Sequence, residues 1–379
     1  MEFGWSADQV RFRRELAELA EAEVPPDWYM SNEQGDQEHA ALARRFVPML
    51  AERGWLAPHW PADWGGRGDW WMQVILGEEL WSRGEPRANQ YMNINWIAPI
   101  LFAAGTEEQR EQHLGRILRG ESSWCQGFSE PEAGTDLASL RCRADRDGDT
   151  YVVNGQKIWT SYADIADYCF LLVRTSTETD RHDGISILLV DMDTPGIEVR
   201  DIPAMGGIPD LIHEMFFDNV RVPVANRLGP EGEGWALIRK ALSFERTGIP
   251  RANACGVLVD RVAEWLRARG ELDDPDTVAR LGQARAAVEA GKMLAYRAVD
   301  ERQKDIENSA APNISRAAAV QTERVVMEIL GEIMGAEGMV HGSFADRQLI
   351  GGIASGIASG AYDVQLDLIG RTGLDLGRS

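Results

Sequence analysis

Apolar spacing changes period twice along this chain, and the two changes limit what it can fold into. Up to about residue 121 apolar side chains recur every three or four positions. Near Ser122 they begin to alternate, and after Gly229-Pro-Glu-Gly-Glu-Gly234 the helical interval returns and holds to the end. The expected fold is α+β: an N-terminal α-helical domain (1–122), a middle antiparallel β domain (123–230) and a C-terminal four-helix bundle (231–379). A chain of 379 residues can bury a core of two or three layers.

Within this frame Ser6 and Gln9 form a capping-box pair, and Val10, Phe12, Leu16 and Leu19 repeat at helical spacing until Pro25-Pro26. Further helices are predicted at about 37–53, 71–83, 89–104 and 107–119, the last capped by Thr106. Trp55, Trp60 and Trp64 fall in the loop between the second and third of these helices, where packing against neighbouring helices is preferred to lining a ligand mouth. Strands are predicted at about 140–144, 151–159, 168–174, 185–192 and 214–222, with Asp147-Gly148-Asp149 turning the first onto the second. Their connections are too short for crossover helices, so an antiparallel sheet is expected. Then comes one long helical segment, 235–266, kinked at Pro250, and helices at about 275–302, 314–333 and 344–370. The small-residue run 353–361 reads as close helix packing.

Sixty acidic against thirty-nine basic residues give a formal charge of −21 with no Lys/Arg cluster, which disfavours nucleic acid and anionic membrane as partners. Cys125, Cys142, Cys169 and Cys255 include no CxxC pair and read as reduced core thiols; neither a metal site nor a disulfide framework is expected. His59, beside Trp60, reads as packed. No charged leader with an apolar run opens the sequence and no apolar run is long enough to span a bilayer, so a cytoplasmic location is expected.

Two segments read together as a ligand cradle: residues 124–140, containing Gln126, Gly127, Phe128, Ser129, Gly134 and Thr135, and residues 153–161, ending in Trp159, Thr160 and Ser161. Four hydroxyls, two glycines that let backbone amides approach a ligand, and one wide apolar face suit something flat or phosphorylated. No phosphate loop or Rossmann fingerprint is present.

Ser129-Glu-Pro-Glu-Ala-Gly-Thr-Asp136 and Asn154-Gly-Gln-Lys-Ile-Trp-Thr-Ser161 resemble consecutive signatures of the acyl-CoA dehydrogenases. Gly105-Thr-Glu-Glu-Gln109, Phe216-Phe-Asp-Asn-Val-Arg-Val-Pro223 and Phe244-Glu-Arg246 follow the same order. The resemblance implies an enzyme that binds FAD and an acyl-CoA thioester and introduces a carbon–carbon double bond, with an electron-transfer flavoprotein as acceptor. It assigns flavin contacts to Gln126, Phe128, Ser129, Gly134, Thr135, Trp159, Thr160 and Ser161, and thioester contacts to Ser129, Thr135 and Arg246.

Such a reaction needs a carboxylate to take the α-proton. Most members of that family carry it near the C-terminus, where this chain has Ser359-Gly360-Ala361; a minority place it before an arginine on the first long C-terminal helix, where this chain has Glu245. Glu245 is therefore the expected base, against the alternative of a solvated, ion-paired helix glutamate. Asp136 reads as holding the turn after Gly134, and Asp363 as an exposed acid.

In ordinary members a neighbouring subunit grips the FAD adenine and pyrophosphate through an Arg-x-x-Phe-Gly element and a glutamine. The first is absent after Val259, and Glu328 and Glu332 bring negative charge to the second. A kept base and a lost grip resemble one subunit of the heteromeric (α2β2) steroid-type enzymes of actinobacteria, implying a second, unlike dehydrogenase chain as partner. The alternatives are a homo-oligomeric short- or branched-chain enzyme using Arg280 or Arg285, a catalytically silent scaffold, and a monooxygenase or carrier-protein dehydrogenase on the same fold.

Overall fold

The structure is a computed structural model describing residues 4–26, 28, 36–176, 181–204, 211–245, 249–306, 309–340, 343–354, 356–357 and 360–377. Helix α1 (Ala7–Glu23) begins at the expected capping box: Gln9 N donates to Ser6 Oγ (3.2 Å) and Ser6 N donates to Gln9 Oε1 (3.0 Å). It buries Phe12, Leu16 and Ala20. Helices α2 (Asp36–Glu52) and α3 (Trp70–Trp81) follow, α3 started by Asp69, whose carboxylate accepts from Met72 N.

The next helical stretch is uneven. Helix α4 (Gln90–Met92) passes through a π-helical turn (Asn93–Ile97) into α5 (Ala98–Ala104). Helix α6 (Glu107–Leu118) has a second capping box, Thr106 with Gln109. Gln109 Nε2 also donates to the carbonyls of Ala225 and Arg227, tying this helix to the β region. Of the loop tryptophans, Trp60 is buried and donates to Ile94 O (3.1 Å), while half-buried Trp55 and Trp64 pack edge-on against Phe12 and Phe102.

Eight strands form one sheet: β1 (Trp124–Gly127), β2 (Arg143–Asp147), β3 (Thr150–Ser161), β4 (Tyr168–Arg174), β5 (Ile185–Asp191), β6 (Ile197–Asp201), β7 (Ile212–Pro223) and β8 (Arg227–Leu228). Their order is β6-β7-β3-β2-β4-β5-β8, with β1 on β4. The expected turn joins β2 to β3, with Gly148 at φ 62°. Antiparallel pairing holds for the hairpins, but β1 runs parallel to β4, with Cys125 opposite Cys169, so the sheet is mixed. The hairpin β2–β3 intervenes between β1 and β4, so their link is long enough for a parallel pairing that adjacent strands could not make. Strands β1, β6 and β8 are additions to the five expected.

Strand β4 is apolar and buried from Cys169 to Val173 because both its faces are covered. Phe170 and Leu172 join the core shared with α1 to α6, whereas Cys169, Leu171 and Val173 join a second core with Tyr151, Val153 and Phe217. Each such side chain contributes about 1.5–3 kcal/mol on burial.

The expected segment 235–266 is seen as helical stretches α7 (Gly234–Glu245) and α8 (Ile249–Arg269), and the residues between them, just before Pro250, lie outside the described residues. Helices α9 (Pro275–Gln303) and α10 (Ala311–Met334) cross closely: a Cβ on Gly291 would lie 2.6 Å from Thr322 Oγ1. The last expected helix is broken into α11 (Asp346–Gly351), a short 3₁₀ turn and α12 (Tyr362–Gly373), because Gly356 and Gly360 take positive φ. In the small-residue run 353–361, Gly356 packs closely on Val320 and Arg324 of α10, but Ile353 and Ile357 are exposed and the described residues form no α-helix. Helices α8, α9, α10 and α12 form the bundle, and no helix among the described residues is long and apolar enough to cross a membrane.

Candidate active site

The two cradle segments are held side by side by bonds between residues far apart in sequence. Ile158 N donates to Ser129 O (2.9 Å), and Lys157 Nζ donates to Phe128 O (3.0 Å) and Glu130 Oε1 (2.8 Å). Lys157 is fully buried and Glu130 nearly so; the glutamate also accepts from Arg141 N (2.6 Å) and Cys142 N (2.8 Å). This carboxylate thus fixes the loop 130–142 and the lysine together, and its charge is met by three donors in an apolar setting. Sequence reasoning overlooked both residues. The available signal was a lysine at an inward position of β3, in phase with buried Tyr151 and Val153.

Beyond Lys157 the pairing of β3 with β7 slips, and the bulge between Lys157 and Thr160 carries Trp159 at φ 63° with 59% of its surface exposed. A bulky residue in the left-handed region costs on the order of 1–3 kcal/mol, and the fold supports it here while leaving the indole uncovered. His213, buried beneath, donates from Nδ1 to Thr160 O (3.2 Å), with Nε2 3.3 Å from Asp164 and 3.4 Å from Asp201. It braces the bulge from behind and is a third residue not foreseen.

The other expected contacts fall into two groups. Gln126, Phe128, Ser129 and Ser161 are half-buried along the cradle, and Gly134 and Thr135 lie on its exposed rim, with no atom within 4 Å of a Cβ at Gly134. One expectation changes: Thr160 is buried, its hydroxyl donating to Gln126 O (3.4 Å), so it can offer a ligand only backbone groups. A Cβ at Gly127 would strike Leu171 at 2.6 Å, so this glycine also lets β1 pack on β4. The Asp136 carboxylate pairs with Arg181, and its carbonyl, not its side chain, closes the turn to Ser139.

Glu245 is the last residue of α7, a helix whose body packs against the π-helical turn and α5. Its side chain, and Arg246 and Ser359 entirely, lie outside the described residues. Asp363 is exposed in the first turn of α12. His59 is packed, as expected: buried, bonded through Nδ1 to Gln73 Oε1 (3.1 Å), and held down to a pKa of about 3, chiefly by burial. All four cysteines are free and buried, with burial pushing Cys142 up to about 11.

In the bundle, an open cleft of about 440 Å³ between α8, α9 and α10 is lined by Glu271, Asp274 and Glu332 against the single cation Arg280. Arg280 pairs with Glu332 and Arg285 with Asp260. Both arginines considered as replacements for the missing adenine grip are thus already engaged by carboxylates.

Comparison with known proteins agrees with this arrangement. The N-terminal, middle and C-terminal domain profiles of acyl-CoA dehydrogenase match residues 6–121, 125–220 and 232–374. Acyl-CoA dehydrogenase FadE26 of Mycobacterium tuberculosis is 32% identical over 402 residues, covering 100% of both chains. Among solved structures, a chain of the Tcur3481-Tcur3483 steroid ACAD superposes with a TM-score of 0.89 at 32% identity, covering 100% of each chain. A chain of the ChsE4-ChsE5 complex from Mycobacterium tuberculosis does so with 0.86 at 30% identity, again covering 100% of each. Three domain profiles in order along the chain and full-length relatives at this identity leave one assignment: the chain belongs to the acyl-CoA dehydrogenase family of oxidoreductases.

Proposed function

We propose that this chain catalyses FAD-dependent α,β-dehydrogenation of an acyl-CoA thioester as the base-carrying subunit of a heterotetramer with an unlike dehydrogenase chain. The observation that carries the flavin assignment is the cradle. An uncovered Trp159 face on a braced bulge, beside the open rim at Gly134 and Thr135, fits a flat, phosphorylated cofactor. Gln126, Phe128, Ser129, Gly134, Thr135, Trp159 and Ser161 would hold FAD with side chain or backbone, and Thr160 with backbone alone. Bound FAD supplies a hydride acceptor for the substrate's β-carbon.

The chain's own residues do the rest. Glu245 takes the α-proton as general base. Arg246, Ser129 and Thr135 orient the thioester, and hydrogen bonds to its carbonyl stabilise the enolate charge as it develops. Electrons leave to an electron-transfer flavoprotein, in the cytoplasm.

The heteromeric reading is supported by the acidic bundle cleft, where a pyrophosphate would meet three carboxylates and an arginine already paired. The name of one similar complex, the Tcur3481-Tcur3483 steroid ACAD, supports a bulky, steroid-type acyl group. The test is flavin content and mass of the chain alone and after co-expression with the dehydrogenase gene beside it. A colourless lone chain and a yellow pair forming an enoyl-CoA are expected. A yellow homotetramer turning over acyl-CoA would sink the shared-site reading.

A further inference from the structure

Trp159 has a companion in the left-handed region. Tyr162 takes φ 59°, so Thr160 and Ser161 are bracketed by two bulky residues in a conformation that such side chains rarely adopt. Each costs free energy that the surrounding structure has to offset. The ends of the stretch are tied by backbone bonds, Ile158 N to Ser129 O (2.9 Å) and Tyr162 N to Leu211 O (3.0 Å). Between those ties the pairing of β3 with β7 slips, and side chains help to hold the backbone.

Thr160 is the fixed point. Its hydroxyl donates to Gln126 O (3.4 Å) and its carbonyl accepts from His213 Nδ1 (3.2 Å). His213 lies opposite Thr160 where β7 pairs with β3, and opposite Asp201 where β7 pairs with β6. One row of polar groups therefore crosses the sheet, from Asp201 on β6 through His213 and Thr160 to Gln126 on β1. At Nε2 the ring faces Asp164 Oδ1 (3.3 Å) as well as Asp201 Oδ1 (3.4 Å). Asp164 in turn accepts from Gln37 Nε2 of α2 (2.8 Å), so the imidazole is also steadied from the helical domain. His213 is fully buried, whereas Trp159, next to Thr160 in sequence, is exposed. The histidine thus acts on the cradle without reaching its open side.

We infer that His213 is a positioning residue for the cradle: held by Asp164 and Asp201, it fixes the Thr160 peptide and thereby sets the direction in which Trp159 presents its ring. The inference rests on the flavin reading for the identity of the ligand that the ring meets, but the brace itself is read with no ligand present.

The first measurement uses the full chain carrying 5-fluorotryptophan. In its fluorine NMR spectrum, Trp159→Phe identifies the line of Trp159. In His213→Leu that line should move by more than its width. In His213→Asn, whose amide nitrogen takes the place of Nδ1, it should stay. His213→Gln puts its donor at the Nε2 end and should behave like His213→Leu.

The second measurement is flavin affinity of the complex with its partner chain, from absorbance on dilution. His213→Leu should weaken binding about 10-fold and His213→Asn by less than about 3-fold. In a Trp159→Gly background His213→Leu should add less than about 2-fold, because the indole it positions is gone. A histidine that merely supported the fold would weaken binding equally in both backgrounds. Should His213→Leu fail to fold, the double variant Asp164→Asn/Asp201→Asn keeps the ring and removes the charges behind it. That variant should move the Trp159 line and weaken flavin binding by about 3-fold. An unmoved line in either folded variant, or equal losses in both backgrounds, overturns the inference. A moved line in a protein whose complex binds no flavin upholds it and sinks the flavin reading; tight flavin binding with an unmoved line does the reverse.

Discussion

Lys157 Nζ lies 2.8 Å from Glu130 Oε1 in a site where the lysine is fully buried, and this one pair joins the two segments that make the cradle. Removing one member leaves an uncompensated buried charge. Lys157→Met should therefore destabilise the protein by about 3–5 kcal/mol in urea unfolding and lower its flavin content. The double variant Lys157→Met/Glu130→Gln should cost clearly less than the two single changes summed. Additive costs would show that the pair does not act as a unit.

Trp159 gives up backbone comfort to present its ring. Trp159→Gly should remove strain, leaving stability unchanged or raised by about 1 kcal/mol, because the indole is mostly exposed. Flavin affinity, followed by absorbance on dilution, should fall about 10-fold or more, as stacking on the ring is lost. Tight flavin binding by the glycine variant would remove Trp159 from the site.

Glu245→Gln should lower the first-order rate of enoyl formation by about 100- to 10,000-fold, the range for loss of a general base, while the complex still binds acyl-CoA. Full activity in the variant would instead support a silent, scaffolding chain.

His59 makes stability acid-sensitive. Its folded pKa, about 3, lies below the unfolded value near 6.5, so below pH 6.5 the unfolded state takes up a proton that the native state refuses. Stability is complete above that pH and falls by about 1.4 kcal/mol per unit until about pH 3. Between pH 7 and 5, the loss of stability read from urea unfolding should be about 2 kcal/mol smaller in His59→Phe than in the parent protein. Depression of His113 to about 4 acts in the same direction and persists in that variant.

Much of this protein is written locally. Ser6 with Gln9 and Thr106 with Gln109 start helices where their spacing says they should, and β4 spans the expected residues 168–174. The cradle motifs were legible because each is a short run of residue types suited to a ligand. Breaks were less legible. Gly356 and Gly360 interrupt a segment whose apolar spacing continues through them.

Tertiary structure decided what depends on residues distant in sequence. The Thr160 hydroxyl looks like a ligand contact in isolation, but the carbonyl of Gln126 claims it. The parallel seat of β1 on β4, the bond between Lys157 and Glu130, and the meeting of Thr160, His213 and Asp201 arise only when separate segments close on one another. The sequence by itself determined the order of helical and strand segments, several of their caps and the chemical types offered to a ligand, because these depend on neighbours within a few positions. Only the tertiary structure decided which of those groups face a ligand and which are consumed by packing, because burial and hydrogen bonding between distant segments set the cost of exposing each one.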